Sequence, residues 1–285
     1  MADQLVIGLS AGAIFVLVSL GLTMIFGMLN VLNFTHGVLY MVGAYLGYVL
    51  AGATGSFWLA LVGAPLLVAG LGLLVERIGI RPVADRPHLI QFLATYGLTL
   101  VIEQLVRVVW GNGAYSVPRP AVFAGTVWLG FMELPRYRLF LVVAAAGACG
   151  ALGWLLARTR WGAVIRATAE DPEMAALLRV DTRRVSSAVF AGGAGLAAFG
   201  GVLAAPEFSV NPSMGDEILV IAFLVVIVGG LGSLRGAILS ALIIAQASSL
   251  GLLLVERFSD VLTFSLMAMV LMLRPVGLFG RREGR

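Results

Sequence analysis

Apolar runs separated by short polar connections dominate the chain. They fall at about 5–28, 34–53, 57–76, 89–109, 138–157, 185–205, 217–231, 236–255 and 259–273, and most approach the roughly 20 residues that carry a helix across a bilayer. The ten-residue alternation of a membrane barrel is missing. The pattern predicts an all-α polytopic membrane protein of about 8–10 transmembrane helices, forming one transmembrane domain over residues 1–285.

Two connections depart from ordinary loops. Asn30, Asn33, Thr35 and His36 lie between the first two runs, in a link too short and apolar for an exposed loop and too polar for a lipid-facing helix. Gly229, Gly230 and Ser233 lie in a glycine-rich link between the seventh and eighth runs. Non-helical backbone at membrane depth survives only inside protein or along a wet cavity. Both links are therefore expected to be membrane-embedded helix breaks, a pairing that points to a transport path built on an internal repeat, inverted or parallel.

The stretch 158–184 is the main wet interruption, mixing Arg, Asp, Glu, Ala and Leu as a short exposed amphipathic helix does. It carries six arginines, the connection 76–88 carries Arg77, Arg81 and Arg86, and the tail carries Arg274, Arg281, Arg282 and Arg285. Positive charge favours the cytoplasmic side, and an even number of runs separates these three places. The N-terminus is then outside, with the loop 110–136 and the connection 206–212. Arg119, Arg136 and Arg138 run against the rule at the first of these. The opening residues Met1 to Gln4 lack the positive flank of a signal peptide, so the first run is expected to stay as a span.

Composition sharpens this. With 60% hydrophobic and 12% charged residues and a mean hydropathy of +1.01, the chain lies far from soluble usage. Its charge of +4 rests on 19 arginines and no lysine. These sit at run ends, where lipid anchoring and orientation explain them and nucleic acid does not. Cys149 stands alone, which excludes a disulfide or a cysteine metal cluster and leaves it a small packing residue. Closely spaced glycines, such as Gly43 and Gly47 and those within 192–201, read as tight helix packing.

Ionisable residues inside spans are costly and draw attention. Glu103 and Arg107, four apart, share a helix face and are expected to neutralise each other. His36, with no second histidine near it, is expected to tie down the broken backbone with Asn30, Asn33 and Thr35 rather than to relay protons. No metal-ligand cluster, Ser/His/Asp arrangement or Walker loop is present. Uphill transport would then draw on an ion gradient or a separate motor, and the shortage of carboxylates within the runs favours the motor.

Several motifs, in order and over nearly the whole chain, resemble the branched-chain amino acid ABC transporter permeases of the LivH type. These are Gly21 to Gly27, Asn33-Phe34-Thr35-His36-Gly37, Leu39-Tyr40-Met41, Gly43-Ala44-Tyr45, Ala94-Thr95-Tyr96-Gly97-Leu98, Ala169-Glu170-Asp171 with Ala175 and Leu177-Leu178, Gly229 to Ser233, and Leu273 to Leu278. The resemblance implies a permease of the bacterial inner membrane that pairs with a LivM-type subunit or a second copy. It also implies two cytoplasmic ABC ATPases and a periplasmic amino-acid-binding protein. ATP and Mg would be bound by the ATPases, with no cofactor in this chain and no enzyme activity of its own. Asn30, Asn33, Thr35, His36, Thr95, Gly229, Gly230 and Ser233 would face the path. Arg166, Glu170, Asp171, Met174, Ala175, Leu178 and Arg179 would form the coupling surface. Where the family has glycine this chain has Arg179, which alters the helix end, pairs with an acidic group on the ATPase, or reaches to lipid headgroups. Cargoes such as urea or short amides, an ion-driven carrier, and a non-transporting scaffold are the competing readings.

Overall fold

The computed structural model describes residues 2–128, 133–254, 265, 267–270, 272–274 and 277–280. Most of the expected ninth run and the tail arginines 281, 282 and 285 lie outside the described residues. Helices follow the apolar runs: α1 Ala2–Leu29, α2 Thr35–Thr54, α3 Phe57–Val75, α4 His88–Trp110, α5 Arg136–Arg158, α8 Thr182–Ala204, α9 Met214–Gly229 and α10 Leu234–Leu254. Two short helices, α6 Arg160–Glu170 and α7 Pro172–Leu177, fill the wet interruption. A small antiparallel pair, β1 Thr126–Trp128 and β2 Glu133–Pro135, sits in the loop before α5.

Among the described residues, seven helices are long and apolar enough to cross a membrane. At 16 residues α9 is shorter than a full span. Burial divides the bundle. Two thirds of the apolar windows of α1 and α8 are buried inside the protein, against 28% for α4 and 11% for α5. The core therefore lies where α1, α2, α3 and α8 meet, with α4 and α5 at the rim. Small residues make this contact possible: a side chain added at Gly43 would collide with the Ala198 backbone, so α2 and α8 touch main chain to main chain.

The first break and the second each join two helices into a hairpin. Gly12 faces Ala245 and Gly27 faces Gly232, so α1 and α10 run antiparallel. Gly37 faces Leu219 and Met41 faces Gly215, which makes α2 antiparallel to α9. The two hairpins therefore enter from one side and return to it in the same sense.

Charge follows the same division. On one face Arg81 donates to Glu76 and to Ser187 (2.7 Å), which ties the link after α3 to the start of α8. A single π-helical turn, Glu76–Ile80, makes this pairing possible. In an α-helix residues five apart point in different directions, whereas a π-turn brings them into register. On the opposite face, Glu207 pairs with Arg119 (3.0 Å) and Arg138 (2.7 Å). Tyr115 and Val210 exchange backbone hydrogen bonds across the same two loops. Two of the three arginines that ran against the charge rule thus share one carboxylate where they stand.

Candidate functional site

The first break is built by its own polar residues. At the end of α1, Asn30 turns into the left-handed region (φ +50°) with its N–H on the Phe26 carbonyl (2.9 Å), a conformation asparagine tolerates at helix ends. Asn30 itself is exposed. The chain then doubles back, and the Asn33 carboxamide oxygen accepts from the N–H (3.1 Å) and the hydroxyl of Thr35, satisfying donors that open α2. His36 Nε2 meets the Val18 carbonyl (2.9 Å), about three turns before the end of α1. So α2 begins alongside the middle part of α1 and not at its end. Asn33 Nδ2 and His36 Nδ1, both buried, find no partner among the described residues.

Thr95 joins this break. Its hydroxyl lies 3.3 Å from the Leu32 carbonyl. Phe34, Phe92, Tyr96 and Phe223 cluster beside it, with Phe34 4.9 Å from Phe223 and 4.7 Å from Phe92 between ring centroids. The second break lies close by, since Gly232 packs on Gly27 in the last turn of α1. There Ser233 Oγ accepts from the Gly236 N–H (3.2 Å), capping α10. Gly229 meets Gly236 with no room for a side chain, and Gly230 (φ +99°) abuts Gly280. Leu278 and Phe279 N–H groups donate to the Val228 and Gly229 carbonyls (2.8 and 3.0 Å). Asn33, Thr35, His36 and Thr95 thus form one neighbourhood, with Gly229, Gly230 and Ser233 beside the end of α1.

Sequence reading missed the rest of the polar series on α4. Gln91, Thr95, Thr99, Glu103 and Arg107 recur every four residues, all turned at least partly inward from an otherwise apolar helix. Gln91 Nε2 donates to the Ala84 and Arg86 carbonyls (2.8 and 2.9 Å), Thr99 bonds the Thr95 carbonyl, and Glu103 pairs with Arg107 as expected. The regular spacing was the available signal. Glu76 and Glu207 were also missed, because their partners are not at helical spacing. A further cavity of ≈ 420 Å³ opens between the two hairpins, walled by Ile14, Ile218 and Ile221, with Tyr40, Asn211 and Glu217 contributing polar groups. Apolar walls with few polar groups suit a small aliphatic solute.

The coupling candidates occupy two helices where one was expected. Thr159 caps α6, accepting from Gly162 N–H (3.0 Å), and Asp171 caps α7, accepting from Met174 N–H (2.9 Å). Glu170, Asp171, Met174, Leu178 and Arg179 are exposed, whereas Ala175 is buried and anchors α7. Arg166 turns back to the Leu156 carbonyl at the end of α5, a favourable place for a cation. Arg179 takes φ +63°, and Val180 and Arg179 N–H groups bond the Ala175 and Ala176 carbonyls (3.1 and 3.0 Å). This is the helix ending that glycine usually supplies; the arginine keeps the turn and leaves its side chain outside.

A bundle of membrane-crossing helices with paired breaks and an exposed helical arm defines a polytopic all-α transport permease. Residues 4–273 match the family described as branched-chain amino acid transport system / permease component, and the chain belongs to that family. It is similar to the high-affinity branched-chain amino acid transport system permease protein LivH of Escherichia coli K12 (32% identity) and of Salmonella typhimurium LT2 (31%). The corresponding protein BraD of Pseudomonas aeruginosa is 28% identical. Each alignment covers 99% of this chain and 96% of the relative. No solved structure matches it. The protein is a multi-pass component of the inner membrane.

Proposed function

We propose that this chain is the membrane-spanning subunit of an ATP-driven importer of branched-chain amino acids. Cargo arrives from a periplasmic binding protein, and the chain pairs with a LivM-type subunit or a second copy of itself. Two cytoplasmic ATPases bind ATP and Mg and perform the hydrolysis, so this chain needs no cofactor and catalyses no reaction. The observation that carries the reading is the tip of α7. Met174, Leu177 and Leu178 are 53%, 78% and 73% exposed on a helix flanked by Glu170, Asp171 and Glu173, outside the apolar bundle. Exposed aliphatic groups ringed by charge mark a protein contact, and the contact sits on the arginine-rich side.

Asn33 Nδ2 and His36 Nδ1, without a partner among the described residues, support a path beside the first break, because buried groups of that kind cost about 1–3 kcal/mol unless water or cargo meets them. In the cavity between the hairpins, the isoleucine walls suit an aliphatic side chain and Glu217 suits an ammonium group.

The test is Glu170→Arg combined with Asp171→Asn, which cancels the net negative charge at the tip while leaving a capping side chain for α7. In proteoliposomes holding the complete importer, uptake should fall roughly tenfold or more while ATP hydrolysis continues. Uptake at the wild-type rate overturns the coupling assignment.

A further inference from the structure

On the arginine-rich side, a cavity of ≈ 650 Å³ opens between the end of α3 and the start of α8. Arg77, Arg81, Arg183, Arg184 and Asp181 line it. Arg81 is held by Glu76 (2.9 Å), and Arg184 by Asp181 (2.8 Å). Arg77 and Arg183 have no partner among the described residues. Two acidic groups against four arginines leave the cavity with two uncompensated positive charges, and the N-terminus of the 23-residue α8 adds to the field.

The cavity does not end at its arginines. Ala188 lines it and also lines an apolar groove of ≈ 540 Å³ between α3, α5 and α8. The groove runs along α8 from Ala188 to Phe199, about 16 Å at 1.5 Å per residue. Its walls are Pro65, Ala151, Leu152, Leu155 and Gly192, and it is almost free of polar surface. Trp161, 63% exposed, stands at its mouth, and indole rings favour the headgroup level of a bilayer.

We propose that cavity and groove together form a binding site for an anionic glycerophospholipid, with the phosphodiester between Arg77 and Arg183 and one acyl chain along α8. Basic pockets between helices on the cytoplasmic side suit such headgroups. The unpaired charge excludes a neutral lipid as the preferred occupant, and the attached apolar groove distinguishes a lipid from a free anion.

Native mass spectrometry of the purified importer, titrated with phosphatidylglycerol and phosphatidylcholine, tests this. The wild type should retain phosphatidylglycerol preferentially. Arg77→Gln with Arg183→Gln should weaken that retention about five-fold per charge, about thirty-fold in all. The charge-matched control Arg158→Gln with Arg160→Gln should leave it unchanged. Gly192→Leu fills the groove from its floor, where an added Cβ meets only Met24 Cε at 3.8 Å, and should also release the lipid. Equal loss in the control overturns the site in favour of a diffuse field. Displacement by millimolar inorganic phosphate, with Gly192→Leu retaining lipid, reduces it to an anion site and overturns the lipid assignment. Unchanged lipid retention in the Arg77/Arg183 variant, with loss of co-purifying ATPases, overturns it in favour of a motor contact.

Discussion

Arg179 shows how a side chain can be foreign to a turn that is nonetheless kept. Its backbone occupies the left-handed region at a cost of about 1 kcal/mol relative to glycine. Arg179→Gly should therefore raise stability by about that amount, seen as a higher midpoint of thermal unfolding in detergent. A more stable variant with poorer uptake would mean that the guanidinium is used on a partner. Arg81 is the opposite case. Glu76 is buried, and Arg81→Ala would leave its carboxylate with Ser187 alone. A fully buried orphan charge costs more and a surface pair less, so with Arg81 38% exposed a loss of about 2 kcal/mol is expected. Ser187→Ala should cost about 1 kcal/mol, and the order of the two melting points checks the assignment. At this scale the sequence was ambiguous for a chemical reason. Asn30, Asn33 and Ser233 are the residue types that line a wet path, and they are equally the types that end and cap helices. In the structure the Asn33 and Ser233 side chains accept from backbone N–H groups at helix starts, and Asn30 ends α1 with a left-handed backbone.

The elements were largely legible because lipid demands long continuous apolar helices, and the runs gave them nearly residue for residue. The exceptions are instructive. The wet interruption looked like one amphipathic helix, but Asp171-Pro172 stops α6 and starts α7: aspartate caps and proline fits the first helical position. Asp171→Ala should cost about 1 kcal/mol of local stability and speed hydrogen exchange over 172–177, whereas Asp171→Asn should not. If both variants exchange alike, the cap is unimportant. The π-turn after α3 had no signature in the sequence, since it is a one-residue shift that only the partner on α8 justifies.

For the molecule as a whole, the distribution of arginines sets an expected orientation, and Glu207 pairs with two of the arginines that run against it. Glu207→Gln should free Arg119 and Arg138 and loosen the outer loop, read as faster hydrogen exchange over 112–128; unchanged exchange would assign that order to the Tyr115–Val210 pairing instead. The relative sense of the two hairpins could not be read from spacing, because it depends on which helices touch. Contacts between α1 and α10 and between α2 and α9 decide it. The polar series of α4 carries one more consequence. Four residues advance an α-helix by about 400°, so each polar group stands about 40° around and 6 Å along from the last. From Gln91 to Arg107 the series winds roughly 160° about the axis. It is a screw thread and not a rail: a sliding α4 would keep its polar groups on neighbouring protein only by turning as it advanced.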